Sequence, residues 1–167
     1  NYTLVRASWF SQNFSESFLR DPILAGHVAL PMPEAQIPFV DAQDIADVVT
    51  KVLIDDNFNG QTVEVTGPRM LTFAEVVREI ASATKRKISF EAVTLKEYKE
   101  EMKAAGLPAA YVWLFGYLFK EVLGNPKNQV ISHDIERVLG REATDFRDFA
   151  RETAADGVWN EEMPLVV

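Results

Sequence analysis

The chain has 167 residues, which suits one domain of ordinary size and is cramped for two. The composition, 47% hydrophobic and 25% charged with 8 scattered glycines and 8 scattered prolines, excludes disordered, collagen-like and low-complexity proteins. A net charge of -8 without a basic stripe argues against nucleic acid and anionic membranes as partners. With 0 cysteines and no apolar run of about 18 residues, we expect a cytoplasmic protein without disulfides or membrane spans.

The first predicted element is a strand over residues 2–7, an apolar run that opens the chain without a methionine. A strand in this place needs sheet partners, so we expect the natural protein to continue upstream by about a hundred residues, the size of a mononucleotide-binding βαβ half. Next come Phe10, Phe14 and Phe18 at a spacing of four, which predicts one aromatic stripe on a short helix.

Short edge strands are predicted at 27–30 and 37–40, on either side of two prolines. Asp41 is expected to cap a helix, and Asp44 lies near the positive end of the same helix, which explains both carboxylates without an acid–base role. A strand over 62–65 follows.

The next helix begins with the capping box Thr72 and Glu75, and a second capping box at Thr94 and Glu97 follows a predicted strand over 88–93. The total of four or five short strands and five or six helices indicates a mixed α/β fold without internal repeats.

The segment 109–123 has aromatic side chains around most of its circumference, so we expect protein, ligand or a partner to cover it. Three interpretations of this helix are possible: it is buried within the protein, it lines a pocket for a flat organic substrate, or it forms an interface. Two short helices follow, and Trp159 is expected to anchor the tail.

Four motifs follow one another along the chain, at 4–16, at 37–41 with 44–46, at 63–68 with 71, 72 and 75, and at 139–141 with 146–150. In this order they resemble the C-terminal portion of NmrA-like atypical short-chain dehydrogenases. The first resembles the end of the sixth Rossmann strand in that family, and the residues of the first and last motifs are most like those of the ergot-alkaloid dehydrogenase and azoreductase branch. The resemblance implies an α/β chain that is the C-terminal part of an NAD(P)-binding Rossmann-like fold, with the N-terminal βαβ half absent.

The whole chain, 1–167, is then one C-terminal region. Residues 1–20 would end the Rossmann sheet and wall the cleft, and 21–167 would form a mixed α/β substrate subdomain. No glycine-rich turn of the kind that holds a pyrophosphate is present, so we expect the chain alone to bind NADH and NADPH weakly and not to catalyse. Ala7 stands where the family usually has proline.

The resemblance implies that Ala7, Ser8, Trp9 and Phe10 pass beside the nicotinamide of an NAD(P)H cofactor, with Trp9 and Phe10 also walling the substrate cleft. The full set of candidate substrate contacts is Trp9, Phe10, Asn13, Phe14, Tyr111 and Phe115. For the three N-terminal aromatics a core position is the alternative, and for Asn13 a turn hydrogen bond is. The two histidines lack metal-ligand spacing, so no metal site is predicted, and no catalytic residue is assigned.

The leading functional expectation is the C-terminal portion of an NAD(P)H-dependent oxidoreductase that reduces a small aromatic or conjugated acceptor. One alternative is a dinucleotide-sensing regulator of the NmrA type that binds a protein partner. The other is a stand-alone binding or dimerisation module. The expected partners are a small-molecule substrate and either a second copy of the chain or the N-terminal half.

Overall fold

Four short strands form two separate parallel pairs. The computed structural model describes residues 2–160, and within them β1 pairs with β3 and β2 pairs with β4. The strands are β1 (Leu4–Ala7), β2 (His27–Leu30), β3 (Thr62–Val65) and β4 (Ser89–Ala92). Strand β1 therefore takes its partner from residues 62–65, far along the chain.

Seven α-helices surround these strands in the described residues, where the sequence predicts five or six. They are α1 (Arg20–Ala25), α2 (Ala42–Ile54), α3 (Phe73–Thr84), α4 (Leu95–Ala104), α5 (Ala109–Tyr117), α6 (Asp134–Leu139) and α7 (Phe146–Ala155). Helix α5 continues directly into a π-helix, Leu118–Leu123. Both predicted capping boxes are present, at the starts of α3 and α4, and Asp41 caps α2.

The sheet of β1 and β3 has one closed and one open edge. At the outer edge of β3, the Asp134 carboxylate accepts the N–H of Glu64 at 2.8 Å. Burial alone would raise the pKa of Asp134, but this bond and the Arg137 guanidinium outweigh it and hold the pKa below its usual value. On β1, alternate residues bond to β3, so the N–H groups of Val5 and Ala7 point to the other side, where the described residues supply no strand.

The main core is a cluster of phenylalanine rings drawn from distant parts of the chain. Phe14 is fully buried, with its ring centroid 5.4 Å from that of Phe39 and 5.5 Å from that of Phe146. Trp159 is also buried, and its indole N–H donates to the Phe14 carbonyl at 2.8 Å. The prediction that Trp159 anchors the tail is therefore confirmed.

The predicted aromatic stripe through Phe10, Phe14 and Phe18 is wrong. Residues Ser11–Phe14 form a 3-10 turn, and a backbone bridge to Val40 holds Phe10 in an extended conformation. Since neither geometry has the α-helical period, the three rings diverge: Phe10 is 44% exposed, Phe14 is in the core and Phe18 is half-buried. The predicted strand at 37–40 is likewise reduced to isolated bridges.

The account of Asp44 as a residue near a helix start is also incomplete. Its carboxylate is fully buried and accepts hydrogen bonds from the Arg141 guanidinium and the Thr144 N–H, both at 2.7 Å. Asp44 therefore ties α2 to the loop that precedes α7.

Candidate functional site

A cleft lies at the carboxyl ends of β1 and β3, the position where open α/β sheets bind ligands. The part of this cleft that we call the outer cavity has a volume of about 480 Å³. Most of its lining residues have polar side chains, and they come from the strand ends and from the loop before α6. They include Arg6, Ala7, Ser8, Glu64, Thr66, Lys127 and Ser132.

A close backbone contact follows β3 next to this cleft. A Cβ atom on Gly67 would lie 1.9 Å from the Phe39 carbonyl oxygen, so only glycine fits there. The close approach presses the end of β3 against residues 38–39. Thr66, one residue earlier, accepts the N–H of Ser132 at 3.0 Å and so fixes the opposite wall.

The second compartment, the Trp9 cavity, has a volume of about 220 Å³ and mainly apolar walls. Its lining includes Trp9, Ile37, Pro38, Leu118, Val122 and Leu123, and it shares Ala7 and Ser8 with the outer cavity. The indole N–H of Trp9 is buried, and no described residue accepts a hydrogen bond from it. Such an orphaned donor costs about 1–3 kcal/mol, which a structure keeps only where something else offsets it.

The π-helix forms the wall opposite Trp9. The Gly124 N–H donates to the Phe119 carbonyl, five residues back, at 2.9 Å. While Phe119 is fully buried in the core, Leu118 and Val122 line the cavity. A π-helix is rare and often occurs at functional sites, which agrees with its place here.

The third compartment, the Met32 cavity, lies where β2 and β4 end and has a volume of about 650 Å³. It is mostly apolar, and Met32, Ala35, Val93, Leu95, Gly124 and Gln129 are among its lining residues. Met32 has a φ of 60°, a left-handed conformation that is uncommon outside glycine. A Cβ atom on Gly124 would lie 2.4 Å from the Met32 methyl group, so the glycine makes room for Met32.

The predicted cofactor contacts divide into two groups. Ala7, Ser8 and Trp9 line the cleft, and Ala7 and Ser8 border both the outer and the Trp9 cavities. Phe10 is 44% exposed and lines none of the three cavities.

The other predicted substrate contacts lie away from the cavities. Phe14 is a fully buried core residue and lines none of the three cavities. Asn13 lines no cavity, and the turn hydrogen bonds expected of it are made by its neighbour Gln12, which donates to Asp41 and accepts from the Ala42 N–H, both at 2.9 Å.

The described residues of this chain cover helix α5 only in part. Phe115 packs edge-on against Phe18 at 4.9 Å, whereas Tyr111, Trp113 and Tyr117 are exposed. Neither Tyr111 nor Phe115 lines the three cavities, because the cavity wall begins at Leu118, further along the helix. No residue pattern marks Thr66, Ser132 or Gln129 as lining residues of a cavity, although Thr66 lies within the motif at 63–68.

Within residues 2–160, no helix combines the length and apolarity that a bilayer crossing requires. The same residues contain no group of three histidines or carboxylates placed to hold a metal ion.

Clefts at the carboxyl ends of parallel strands, flanked by helices, are the usual ligand sites of α/β proteins. The sequence model of the NmrA-like family matches residues 1–152, and the chain belongs to that family.

Similar curated proteins carry different names. The chain is 28% identical over 152 residues to prestalk A differentiation protein A of Dictyostelium discoideum, covering 91% of this chain and 50% of that protein. It is 31% identical over 155 residues to an uncharacterized oxidoreductase, YesF, of Bacillus subtilis, covering 92% of this chain and 54% of that protein. It is 29% identical over 157 residues to an NAD(P)H azoreductase of Xenophilus azovorans, covering 92% of this chain and 53% of that protein. The chain thus spans about half the length of these relatives.

Two solved structures share the fold. Triphenylmethane reductase of Citrobacter sp., solved with NADP(H), superposes with a TM-score of 0.76 at 18% identity, over 92% of this chain and 53% of that one. The negative transcriptional regulator Nmra, solved with NAD, superposes with a TM-score of 0.59 at 17% identity, over 97% of this chain and 55% of that one. The α/β fold therefore matches part of the Rossmann-like fold of NAD(P)-binding proteins.

Proposed function

We propose that this chain is the substrate-side part of an NAD(P)H-dependent oxidoreductase that reduces a small aromatic or conjugated acceptor. The observation that carries the proposal is that Ala7 and Ser8 border two different compartments, one lined mostly by polar residues and one with mainly apolar walls. A cofactor ring and an acceptor must meet face to face, and these two residues stand where such compartments join. The 0 cysteines suit a reducing compartment such as the cytoplasm.

The residues at this junction fit the nicotinamide end of a dinucleotide. The backbone N–H of Ala7 points away from β3, and the outer cavity offers polar side chains around it. The chain has no glycine-rich turn for the pyrophosphate, so Ala7 and Ser8 would hold only the nicotinamide end. When bound, the nicotinamide supplies the hydride.

The residues of the Trp9 cavity would hold the acceptor. The Trp9 side chain lines this cavity, so its ring would offer a flat surface on which an aromatic acceptor stacks. Leu118 and Val122 exclude water from the opposite side, which strengthens every electrostatic interaction inside. The names of the azoreductase and the triphenylmethane reductase support an aromatic acceptor.

The second candidate is a dinucleotide-sensing regulator that docks a protein partner. Exposed aromatic side chains on α5 favour it, because Trp113 is 65% exposed and stacks on exposed Tyr117 with ring centroids 5.6 Å apart. Exposed aromatic patches of this kind are typical of interfaces. The likeness to the Nmra regulator supports this reading as well. A regulator would bind NADH or NADPH without oxidising either in the presence of an acceptor.

The test is the rate of NADH or NADPH oxidation with 1,4-naphthoquinone or an azo dye, on the product of the complete reading frame. In the Trp9→Ala variant we expect kcat/KM to fall at least tenfold because stacking and orientation are lost, roughly 1.4 kcal/mol or more. The free energy of unfolding, measured by urea denaturation, should fall by much less than the loss of about 3–5 kcal/mol that follows from truncating a buried tryptophan.

Trp159→Phe is the matched control, since Trp159 is buried in the core and bonded to the Phe14 carbonyl. This variant should lose stability and keep its activity per folded molecule. The acceptor assignment fails if Trp9→Ala shows the same behaviour as Trp159→Phe. Absence of reduction in the unmutated protein would favour the regulator.

A further inference from the structure

One residue, Gln129, is common to the linings of the Trp9 cavity and the Met32 cavity. Its amide group makes a hydrogen bond in each direction. Its Oε1 accepts the backbone N–H of Gln36 at 3.3 Å, and its Nε2 donates to the carbonyl of Leu123 at 2.9 Å. The Gln129 side chain therefore bridges the loop after β2 and the end of the π-helix.

The bridge follows the border between the two compartments. Gln36 and Leu123, its two anchor points, line the Trp9 cavity. The residues next to them in the chain, Ala35 and Gly124, line the Met32 cavity. Both ends of the bridge thus stand where one cavity stops and the other begins.

Both compartments suit apolar groups, but they differ in size. The Trp9 cavity holds about 220 Å³, below the volume of about 300 Å³ at which most small-molecule pockets begin. The Met32 cavity is about three times larger, and its lining is mostly apolar. An acceptor that could pass Gln129 would gain further apolar burial without new polar contacts.

We propose that Gln129 sets the size limit of the acceptor by closing the Trp9 cavity toward the Met32 cavity. This inference rests on the proposed function, which assigns the acceptor to the Trp9 cavity. With Gln129 in place, the bound ring and its substituents are confined to the smaller compartment. A shorter side chain at this position joins the two compartments and admits longer acceptors.

The test is a calorimetric titration of the chain with 2-alkyl-1,4-naphthoquinones, from methyl to hexyl. In the unmutated chain, affinity rises with tail length only until the Trp9 cavity is full. In Gln129→Ala we expect the rise to continue, roughly fourfold for each further buried methylene group. Gln129→Ser repeats the comparison with a polar side chain that is too short to span the border.

Gln61→Ala is the matched control. The Gln61 amide also makes two hydrogen bonds, to the Asn57 carbonyl at 2.7 Å and from the Arg137 guanidinium at 3.1 Å, and it lines neither cavity. This variant should keep the length limit of the unmutated chain. If Gln129→Ala and Gln129→Ser also keep it, the proposal is overturned.

Alkylbenzenes, which accept no hydride, separate this inference from the acceptor assignment. A longer limit for alkylbenzenes in Gln129→Ala, with no binding of any naphthoquinone, supports the partition and contradicts the proposed acceptor class. If neither series binds to any variant, the two compartments do not receive apolar rings and the role of Gln129 is refuted.

Discussion

Arg141 bridges two aspartates of α2 that differ mainly in burial, and replacing each by alanine separates a buried ion pair from an exposed one. The guanidinium lies 2.7 Å from Asp44 and 2.6 Å from Asp47, whose side chains are 1% and 38% exposed. Asp44 also accepts the N–H and O–H of Thr144, at 2.7 and 3.1 Å.

We expect Asp44→Ala to lower the free energy of unfolding by about 3 kcal/mol, the low end for a broken buried pair because Arg141 is itself 42% exposed. Part of that loss comes from the two Thr144 donors, which are left without their acceptor. Asp47→Ala removes an exposed partner of the same arginine and should cost less than about 1 kcal/mol.

Urea denaturation followed by far-UV circular dichroism measures both losses, with an unchanged slope as evidence that only stability has altered. Asp44→Asn keeps the shape and an acceptor oxygen, so its loss should fall between those of the two alanine variants. Equal losses for Asp44→Ala and Asp47→Ala would refute the argument that burial decides the strength of this network.

Three further outcomes are expected. Gly67→Ala should cost about 3 kcal/mol in urea denaturation because its Cβ meets the Phe39 carbonyl, whereas Gly116→Ala, which meets only a lysine side chain, should change stability by less than about 1 kcal/mol. Burial raises the pKa of Tyr98 from 10.0 to about 12, so stability should fall between these two pH values more steeply than in Tyr98→Phe; parallel curves would contradict this. The open edge of β1 should make the chain self-associate at high concentration, and Ala7→Pro, which removes an outward N–H, should reduce the association seen by light scattering; a monomeric unmutated chain would count against it.

The parts of the fold that the sequence predicts are those decided locally. The Thr72 and Thr94 capping boxes depend on residues three positions apart, so the pattern and the structure agree. Strand pairing depends on contacts across the chain, and no local signal states that residues 4–7 pair with 62–65. The buried role of Asp44 was hidden in the same way, since its partners lie about a hundred residues further on.

The sequence leads to the strand-end residues of the candidate site but not to the helix residues. Family resemblance leads to Ala7, Ser8 and Trp9 because the end of a strand has a recognisable motif. The predicted contacts on helix α5, Tyr111 and Phe115, come before Leu118, where the wall of the Trp9 cavity begins. Aromatic content marks a helix that needs contacts, but it does not say which turn meets the cleft.

The hydrogen bond between Trp159 and Phe14 has a consequence for biosynthesis. It joins residues 145 positions apart, and the ring cluster around Phe14 also needs Phe146. A nascent chain therefore carries Phe14 without two of its final partners, Phe146 and Trp159, until nearly all of the described residues have been made. Contacts of such long range slow folding, because the entropy of closing the loop is lost before the contact forms. The period of greatest exposure to aggregation and to chaperone binding thus falls late in synthesis, just before Trp159 closes the core.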